Sequence, residues 1–225
     1  MERFFDIIFS TLAIVVFSPF LIPIILLLRF SGEGEIFFYQ ERVGKNGKVF
    51  KLFKFATMIK DSPNIGSGTI TIKNDPRVLP VGKFLRKTKI NELPQLLNIL
   101  IGDMSVIGPR PMTQENFGLY SPKTQEILKK VRPGLSGIGS IVFRREEEIM
   151  DDVSTSKEFY KSIISPYKGS LEIWFALNKS LKIYFLAILI TLLAVIFPKF
   201  NIFQRFFRNL PEPPQELKDI LNNLD

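Results

Sequence analysis

Residues 86–111, RKTKINELPQLLNILIGDMSVIGPRP, decide how the rest of the chain is read. Leu93, Leu96, Leu97, Leu100 and Ile101 recur at i, i+3, i+4, i+7 and i+8, which is one apolar face of an α-helix. Asn91 suits an N-cap, Pro94 then falls in the first turn where a missing N–H is harmless, and Gly102 stops the helix. Glu92 lies at the positive end of that helix's dipole, so its carboxylate is expected to stay ionised and available. Arg86 and Lys87 precede the helix, and Asp103 and the rigid turn Gly108, Pro109, Arg110, Pro111 follow it. Carboxylates and guanidinium groups gathered around one helix start suit a divalent metal and phosphates. An ordinary capped amphipathic helix explains the leucines and Asn91, but not the crowding of Arg86, Glu92, Asp103 and Arg110.

The bulk composition narrows the chemistry. The 225 residues are 46% hydrophobic and include 22 Phe, with the apolar excess at both ends, which points to membrane contact. A net charge of +8 favours a phosphate-rich partner: anionic lipid, nucleotide or nucleic acid. Nucleic acid is the weaker choice, because the basic residues alternate with lipid-like apolar runs instead of forming a solvated arm. The absence of cysteine removes disulfides, thiol nucleophiles and Cys-zinc sites. The absence of histidine removes Ser-His-Asp triads, His bases and His-zinc motifs. Nucleophilic and acid–base work falls to carboxylates, Lys, Tyr or hydroxyls, and metal chemistry to oxygen ligands, hence Mg²⁺ or Mn²⁺.

Residues 7–28 carry no charge and are long enough to span a bilayer. Ser18-Pro19 and Pro23 argue against a straight span, since Pro19 removes a backbone donor and Ser18 can satisfy the freed carbonyl. Arg3 and Arg29 flank the run and both prefer the cytoplasmic side, which a re-entrant hairpin of two half-helices allows. Residues 36–39 and 49–55 read as strands joined at Asn46-Gly47. Residues 61–73 form a Gly- and Ser-rich loop containing Gly66-Ser67-Gly68. Arg144 and Arg145 are followed by Glu146, Glu147 and Glu148, a self-paired face or a phosphate contact, and Asp151-Asp152 reads as a helix cap or a metal pair. Residues 171–197 are strongly apolar, but the longest uncharged run, 183–197, is short for a span, so helices lying in the interface are favoured. Trp174 and Tyr184 would anchor them at headgroup level, and Lys199, Arg205 and Arg208 with Phe200, Phe203, Phe206 and Phe207 extend the contact. The tail from Asn209 is Pro-rich and acidic, with room for a short final helix.

The stretch NELPQLLNILIGDMSVIGPRP, preceded by VGKFLRKTKI, resembles the signature of the bacterial sugar transferases, the monotopic polyprenyl-phosphate phosphoglycosyl transferases. FKLFKFATM at 50–58, NDPR at 74–77 and VRPGLSG at 131–137 resemble further motifs of that family. The resemblance implies transfer of a sugar 1-phosphate from a UDP-sugar to undecaprenyl or another polyprenyl phosphate, with Mg²⁺ and release of UMP. It initiates exopolysaccharide, O-antigen or glycan assembly, ahead of later glycosyltransferases, on the cytoplasmic face of the bacterial inner membrane. It marks Lys54 as a phosphate contact and Arg77 as either a phosphate contact or the ion pair of its turn. Arg86 and Arg110 join Lys54 and Arg77 as phosphate-binding candidates, and Ser18 and Pro19 match the family's break in a re-entrant helix. Three departures stand out: Ala56 where the family has Arg or Lys, residues 138–145 where many relatives have W-x-Q-V-x-G-R, and Asn91-Glu92 where the catalytic pair is usually Asp-Glu.

The expected architecture is α/β (α+β). It comprises a re-entrant membrane helix at 1–30, a small mixed catalytic core at 31–170, amphipathic interface helices at 171–208 and a loosely ordered acidic tail at 209–225. Asn91 and Glu92 are the expected catalytic pair. Glu92 and Asp103 are the expected metal ligands. Because a carboxamide is a poor nucleophile, three mechanisms stand: Glu92 attacks the phosphorus, Glu92 holds the metal while transfer is direct, or the chain is a catalytically silent membrane-bound binding or assembly partner. Two readings of other classes rest on less. A nucleic-acid or phospholipid-binding protein has only the charge in its favour, and an ordinary soluble glycosyltransferase lacks an Asp-x-Asp motif.

Overall fold

In the computed structural model, which describes residues 1–66, 68, 71–72, 74–144, 158–197, 206–207 and 209–223, the Asn46-Gly47 turn closes a hairpin. Strands β1 (Phe37–Val43) and β2 (Val49–Phe55) pair antiparallel, with Phe37 opposite Phe55 and Val43 opposite Val49. Asn46 and Gly47 both take positive φ, 58° and 74°, the conformation for which this dipeptide is favoured. β1 extends to Val43, beyond the expected 36–39. Alternation along β2 buries Phe50 and Leu52 and leaves Val49 and Lys51 outside.

The chain continues through α2 (Pro80–Lys87), a 3₁₀ turn (Ile90–Glu92), α3 (Gln95–Ile101) and β3 (Ser105–Ile107). Helices α4 (Gln114–Gly118) and α5 (Pro122–Lys129) follow, then β4 (Gly134–Ser136) and α6 (Ile138–Val142). β4 pairs in parallel with β3. A π-helical turn (Tyr160–Ile164) leads into α7 (Ser165–Asn178), then come α8 (Leu181–Ile196) and α9 (Gln215–Asn223). The mixed helix-and-strand class matches the expectation.

α3 sits on β2. Leu96 and Ile99 pack with Phe50, Leu52 and Met104, and Gly102 ends the helix at φ 103°. The start differs from the sequence reading. α3 begins at Gln95 with Pro94 at the cap position, and Asn91 lies in the preceding 3₁₀ turn, where its side chain caps nothing. The tight turns at Lys89, which takes φ 60°, and at 90–92 use up the residues that a longer helix would need.

α1 (Glu2–Arg29) runs unbroken through Pro19 and Pro23, so the hairpin of two half-helices is not formed. Pro19 leaves the carbonyl of Val15 without its helical donor, and Ser18 Oγ donates to that oxygen at 3.0 Å. The two flanking arginines nonetheless face one body. Arg3 donates to the carbonyls of Ile99 and Leu100 at the end of α3, while Leu28, next to Arg29, packs on Phe55 and Leu85. A straight helix of 28 residues is about 42 Å long, so a span projecting from the core could not touch it at both ends. α1 lies along the core with Leu12, Val16, Phe17, Phe20 and Leu27 exposed.

One buried carboxylate fastens α1. Asp6 Oδ1 accepts from Tyr184 Oη at 2.8 Å, Ser105 Oγ at 2.9 Å and Val106 N–H at 2.8 Å, joining α1, α8 and β3. Buried polar groups persist only when bonded in this way. Tyr184 is therefore a core residue, 1% exposed, and not a headgroup anchor.

The C-terminal third contributes to the main core. The boundary at 170 falls inside α7, whose Leu171 and Phe175 belong to the main core with Ile107, Ile138, Ile164 and Tyr184. α8 is apolar on both faces, with Ala187 and Ile190 buried and Leu189, Leu192, Val195 and Ile196 exposed, so it is not amphipathic. The tail is anchored: Tyr167 donates to Pro211 O at 3.1 Å and Leu217 of α9 is fully buried. Ser67, Arg145, Glu146, Glu147, Glu148, Asp151, Asp152, Lys199, Phe200, Phe203, Arg205 and Arg208 lie outside the described residues.

Candidate active site

Glu92 is the centre of a partly buried charge cluster. Its Oε1 accepts from Lys54 Nζ at 3.0 Å and from Arg110 Nη2 at 3.1 Å. Three elements bring these groups together: β2 carries Lys54, the 3₁₀ turn carries Glu92, and the turn after β3 carries Arg110. Asn98 fixes the first two. Its Oδ1 accepts from Phe53 N–H at 3.0 Å and its Nδ2 donates to Lys51 O at 2.8 Å, so α3 grips β2 as a neighbouring strand would. The Arg110 turn is braced by β4, where Gly134 N–H donates to Pro109 O at 2.8 Å. The backbones touch there: a Cβ on Gly137 would lie 2.1 Å from Gly108 O, which explains the glycines of the VRPGLSG stretch.

The cluster opens into a cavity of about 530 Å³. Arg42, Lys54, Lys60, Arg86, Lys89, Arg110 and Lys168 line it, together with Tyr160, Met112, Asn116, Phe37 and Tyr39. The carboxylates on its surface are Glu35, Asp61 and Glu92, so the lining is strongly cationic. Burial alone would raise Glu92, but Lys54, Arg110 and Lys89 overcome it and hold the carboxyl well below its usual range. Burial lowers the Lys54 ammonium to about 8 against the pull of Glu92. Burial, with Arg110 nearby, brings Arg42 down to about 10. Such a site favours an anion with several oxygens, which can take over the donors now held by one carboxylate.

The residues singled out in the sequence divide. Lys54, Glu92 and Arg110 form one ion-paired group, and Asn91 and Arg86 line the same cavity. Asn91 is buried, and its Oδ1 has no hydrogen-bond partner. Arg86 Nη2 donates to Thr71 Oγ1 at 3.0 Å. Arg77 takes the second of its two readings. It is 4% exposed, pairs with Asp75 at 2.5 Å, and donates to the carbonyls of Ser62, Ile65 and Gly68 at 2.7–2.9 Å. These bonds tie Ser62, Ile65 and Gly68 to one guanidinium, and Arg77 does not line the cavity.

Asp103 stands apart from the cluster. It follows the far end of α3, eleven residues from Glu92 across a helix rising about 1.5 Å per residue, and it does not line the cavity. Among the described residues no three carboxylates converge. The donor set among the described residues therefore does not suit a metal held by protein alone. It does suit Mg²⁺ arriving with a diphosphate, because that ion typically uses one or two carboxylates plus phosphate oxygens, and Glu92 stands beside the unpaired Asn91 oxygen.

Four contributors escaped the sequence reading. Asn98 looked like one more residue on a leucine helix. Arg42, Tyr160 and Lys168 reach the cavity through long-range packing, with Lys168 Nζ 4.9 Å from the Phe143 ring centre and 5.3 Å from that of Tyr160. Residues 138–143, in the stretch that departs from the W-x-Q-V-x-G-R pattern, belong to the core. Ile138, Ile141, Val142 and Phe143 are buried and none lines the cavity.

A family model described as bacterial sugar transferase matches residues 1–198. The exopolysaccharide production protein ExoY of Rhizobium meliloti is 35% identical over 175 residues, covering 72% of this chain and 77% of that one. The UDP-glucose:undecaprenyl-phosphate glucose-1-phosphate transferase of Escherichia coli is 35% identical over 191 residues, 84% of this chain and 39% of that one. The undecaprenyl-phosphate galactose phosphotransferase of Salmonella typhimurium is 33% identical over 160 residues, 65% of this chain and 33% of that one. With the matched region enclosing the hairpin, the Glu92 cluster and the helices that frame them, the chain belongs to the bacterial sugar transferase family.

Proposed function

We propose that this protein transfers a sugar 1-phosphate from a UDP-sugar to undecaprenyl phosphate, releasing UMP, as an early step of exopolysaccharide or related glycan assembly. The observation that carries the reading is the ion-paired Glu92 in a cavity walled by seven basic side chains. The names of the relatives supply the acceptor and the class of transfer. The apolar outer faces of α1 and α8 support residence on a membrane, and the proposal puts the core on the cytoplasmic face of the cytoplasmic membrane.

Binding of the diphosphate draws Lys54 and Arg110 from Glu92 onto phosphate oxygens, where they hold the charge that spreads in the transition state. Glu92, relieved of its partners, attacks the sugar-bearing phosphorus. The bond from that phosphorus to the bridging oxygen breaks, its electron pair leaves with UMP, and a phospho-sugar ester of Glu92 forms. An oxygen of undecaprenyl phosphate then attacks the same phosphorus and the carboxylate departs, giving the lipid diphosphate sugar. Mg²⁺ would be held by the Asn91 carboxamide oxygen together with the diphosphate, and would supply neutralisation of the phosphate charge. The double ion pair on Glu92 favours a second reading, in which the carboxylate stays a charge partner and the lipid phosphate attacks the donor directly.

The test is UMP release by the full chain in lipid nanodiscs with undecaprenyl phosphate, Mg²⁺ and a panel of UDP-sugars. Release with at least one donor, dependent on both substrates, is expected, and silence with every donor refutes the proposal. Peptide mass spectrometry during turnover separates the two mechanisms, since a sugar phosphate on Glu92 appears only in the first.

A further inference from the structure

Glu172 of α7 has no place in the chemistry above, yet it is 3% exposed and stands directly behind Arg110. Its Oε1 accepts the Arg110 backbone N–H at 3.2 Å, and its Oε2 has no hydrogen-bond partner. The carboxyl borders a cavity of about 20 Å³, roughly one water, between Arg110, Met112, Tyr120, Lys129 and Pro133. The space it occupies exists because residue 139 is glycine: a Cβ there would lie 2.4 Å from Oε1. Lys168, one helical turn earlier on α7, lines the large cavity.

These contacts form a chain from the C-terminal helices to the reacting group. Gly139 admits Glu172, Glu172 Oε1 holds the Arg110 peptide, and Arg110 Nη2 holds Glu92. A buried carboxyl with one orphan oxygen is a poor device for stability, since a well-packed leucine of similar size would avoid its desolvation. What the carboxyl does at this point is hold the Arg110 peptide.

We propose that Glu172 is a positioning residue, whose carbonyl-type oxygen fixes the Arg110 turn so that the guanidinium reaches Glu92 and, in its place, the donor's diphosphate. The inference rests on the proposed transfer reaction for its kinetic consequence but not for its geometry. What matters is the acceptor Oε1 and not a negative charge. Glu172→Gln keeps that acceptor and Glu172→Leu removes it. Gly139→Ala pushes it aside without touching Glu172 itself.

Two measurements on the full chain in nanodiscs test this. In UMP-release kinetics, E172L and G139A are expected to lose on the order of 100-fold in kcat/KM, as misaimed groups do. E172Q is expected to stay within about threefold of the native chain. In the substrate-free measurement, acylation of Lys54 by an amine-reactive ester is followed by mass spectrometry across pH. Its midpoint is expected to rise in E172L and G139A, because Arg110 no longer opposes the Lys54 charge from its place on Glu92, and to stay put in E172Q. If E172Q is as impaired as E172L, or if E172L keeps native kinetics and the native Lys54 midpoint, the proposal is wrong. A native chain without transferase activity would overturn the proposed function while leaving the acylation measurement to decide on Glu172.

Discussion

Replacing Lys54 with arginine tests the reading of the charge cluster most directly. Burial lowers the Lys54 ammonium from 10.5 to about 8, a gap equivalent to about 3 kcal/mol against the charged form. Below 8 the side chain carries its proton and can bind a phosphate oxygen, and above 8 it loses both proton and attraction. With a midpoint of about 8, the protonated fraction falls roughly 25-fold between pH 7.5 and 9.5, and kcat/KM for the sugar donor falls with it. A guanidinium stays protonated across that range, so K54R removes the alkaline limb even if its level is lower for geometric reasons. The same group leaves a trace of opposite direction in stability. Between 8 and 10.5 the unfolded chain holds a proton that the folded chain lacks, so this lysine's contribution to folding grows as pH rises. The assay is initial UMP release at sub-saturating donor from pH 6.5 to 9.5, with undecaprenyl phosphate in excess. A native profile flat to pH 9.5, or an alkaline limb that persists in K54R, would refute the assignment of Lys54 as the titrating phosphate contact.

Other substitutions separate the site from its frame. R77M leaves Asp75 buried without its partner, and a loss of about 3–5 kcal/mol is expected, seen as a fall of roughly 6–20 °C in thermal unfolding midpoint. Lost activity at an unchanged midpoint would instead return Arg77 to the substrate. D103N is expected to leave the rate within about twofold of native and its Mg²⁺ dependence unchanged, as for a residue away from the chemistry. N91D puts a second carboxylate where an unpaired oxygen already sits, and a rise in kcat of about tenfold or more is expected, about 1.4 kcal/mol of barrier. A rate equal to or below native would show that Asn91 is suited to its position as it stands.

What could be read from the sequence was whatever short-range periodicity and turn chemistry control. The Asn46-Gly47 hairpin, the apolar face of α3 and the stop at Gly102 all follow from neighbours in the chain. Of the site, Glu92 and Arg110 could be inferred from one stretch, and Lys54 from a motif match. The errors arose where tertiary contacts override local preference. Asn91 has a cap's chemistry, but the turn at Lys89 moves it out of the cap position. Asp103 is near Glu92 in sequence, yet the helix between them keeps the two apart. Tyr184 has an anchor's composition, but its hydroxyl answers an aspartate 178 residues away. Arg42, Lys168 and Glu172 left no local signal, because their roles depend on elements separated by most of the chain.

The Asp6 clasp makes the greasy first helix a wall of the enzyme and not a tether that can be cut. Trimming residues 1–30 for a water-soluble version would bare Leu52, Phe55, Leu85 and Ile99 and strip three donors of their shared acceptor. Whatever surrounds the protein in its purified form therefore has to clothe the outer side of that wall, so the choice of amphiphile becomes part of keeping Glu92 in register.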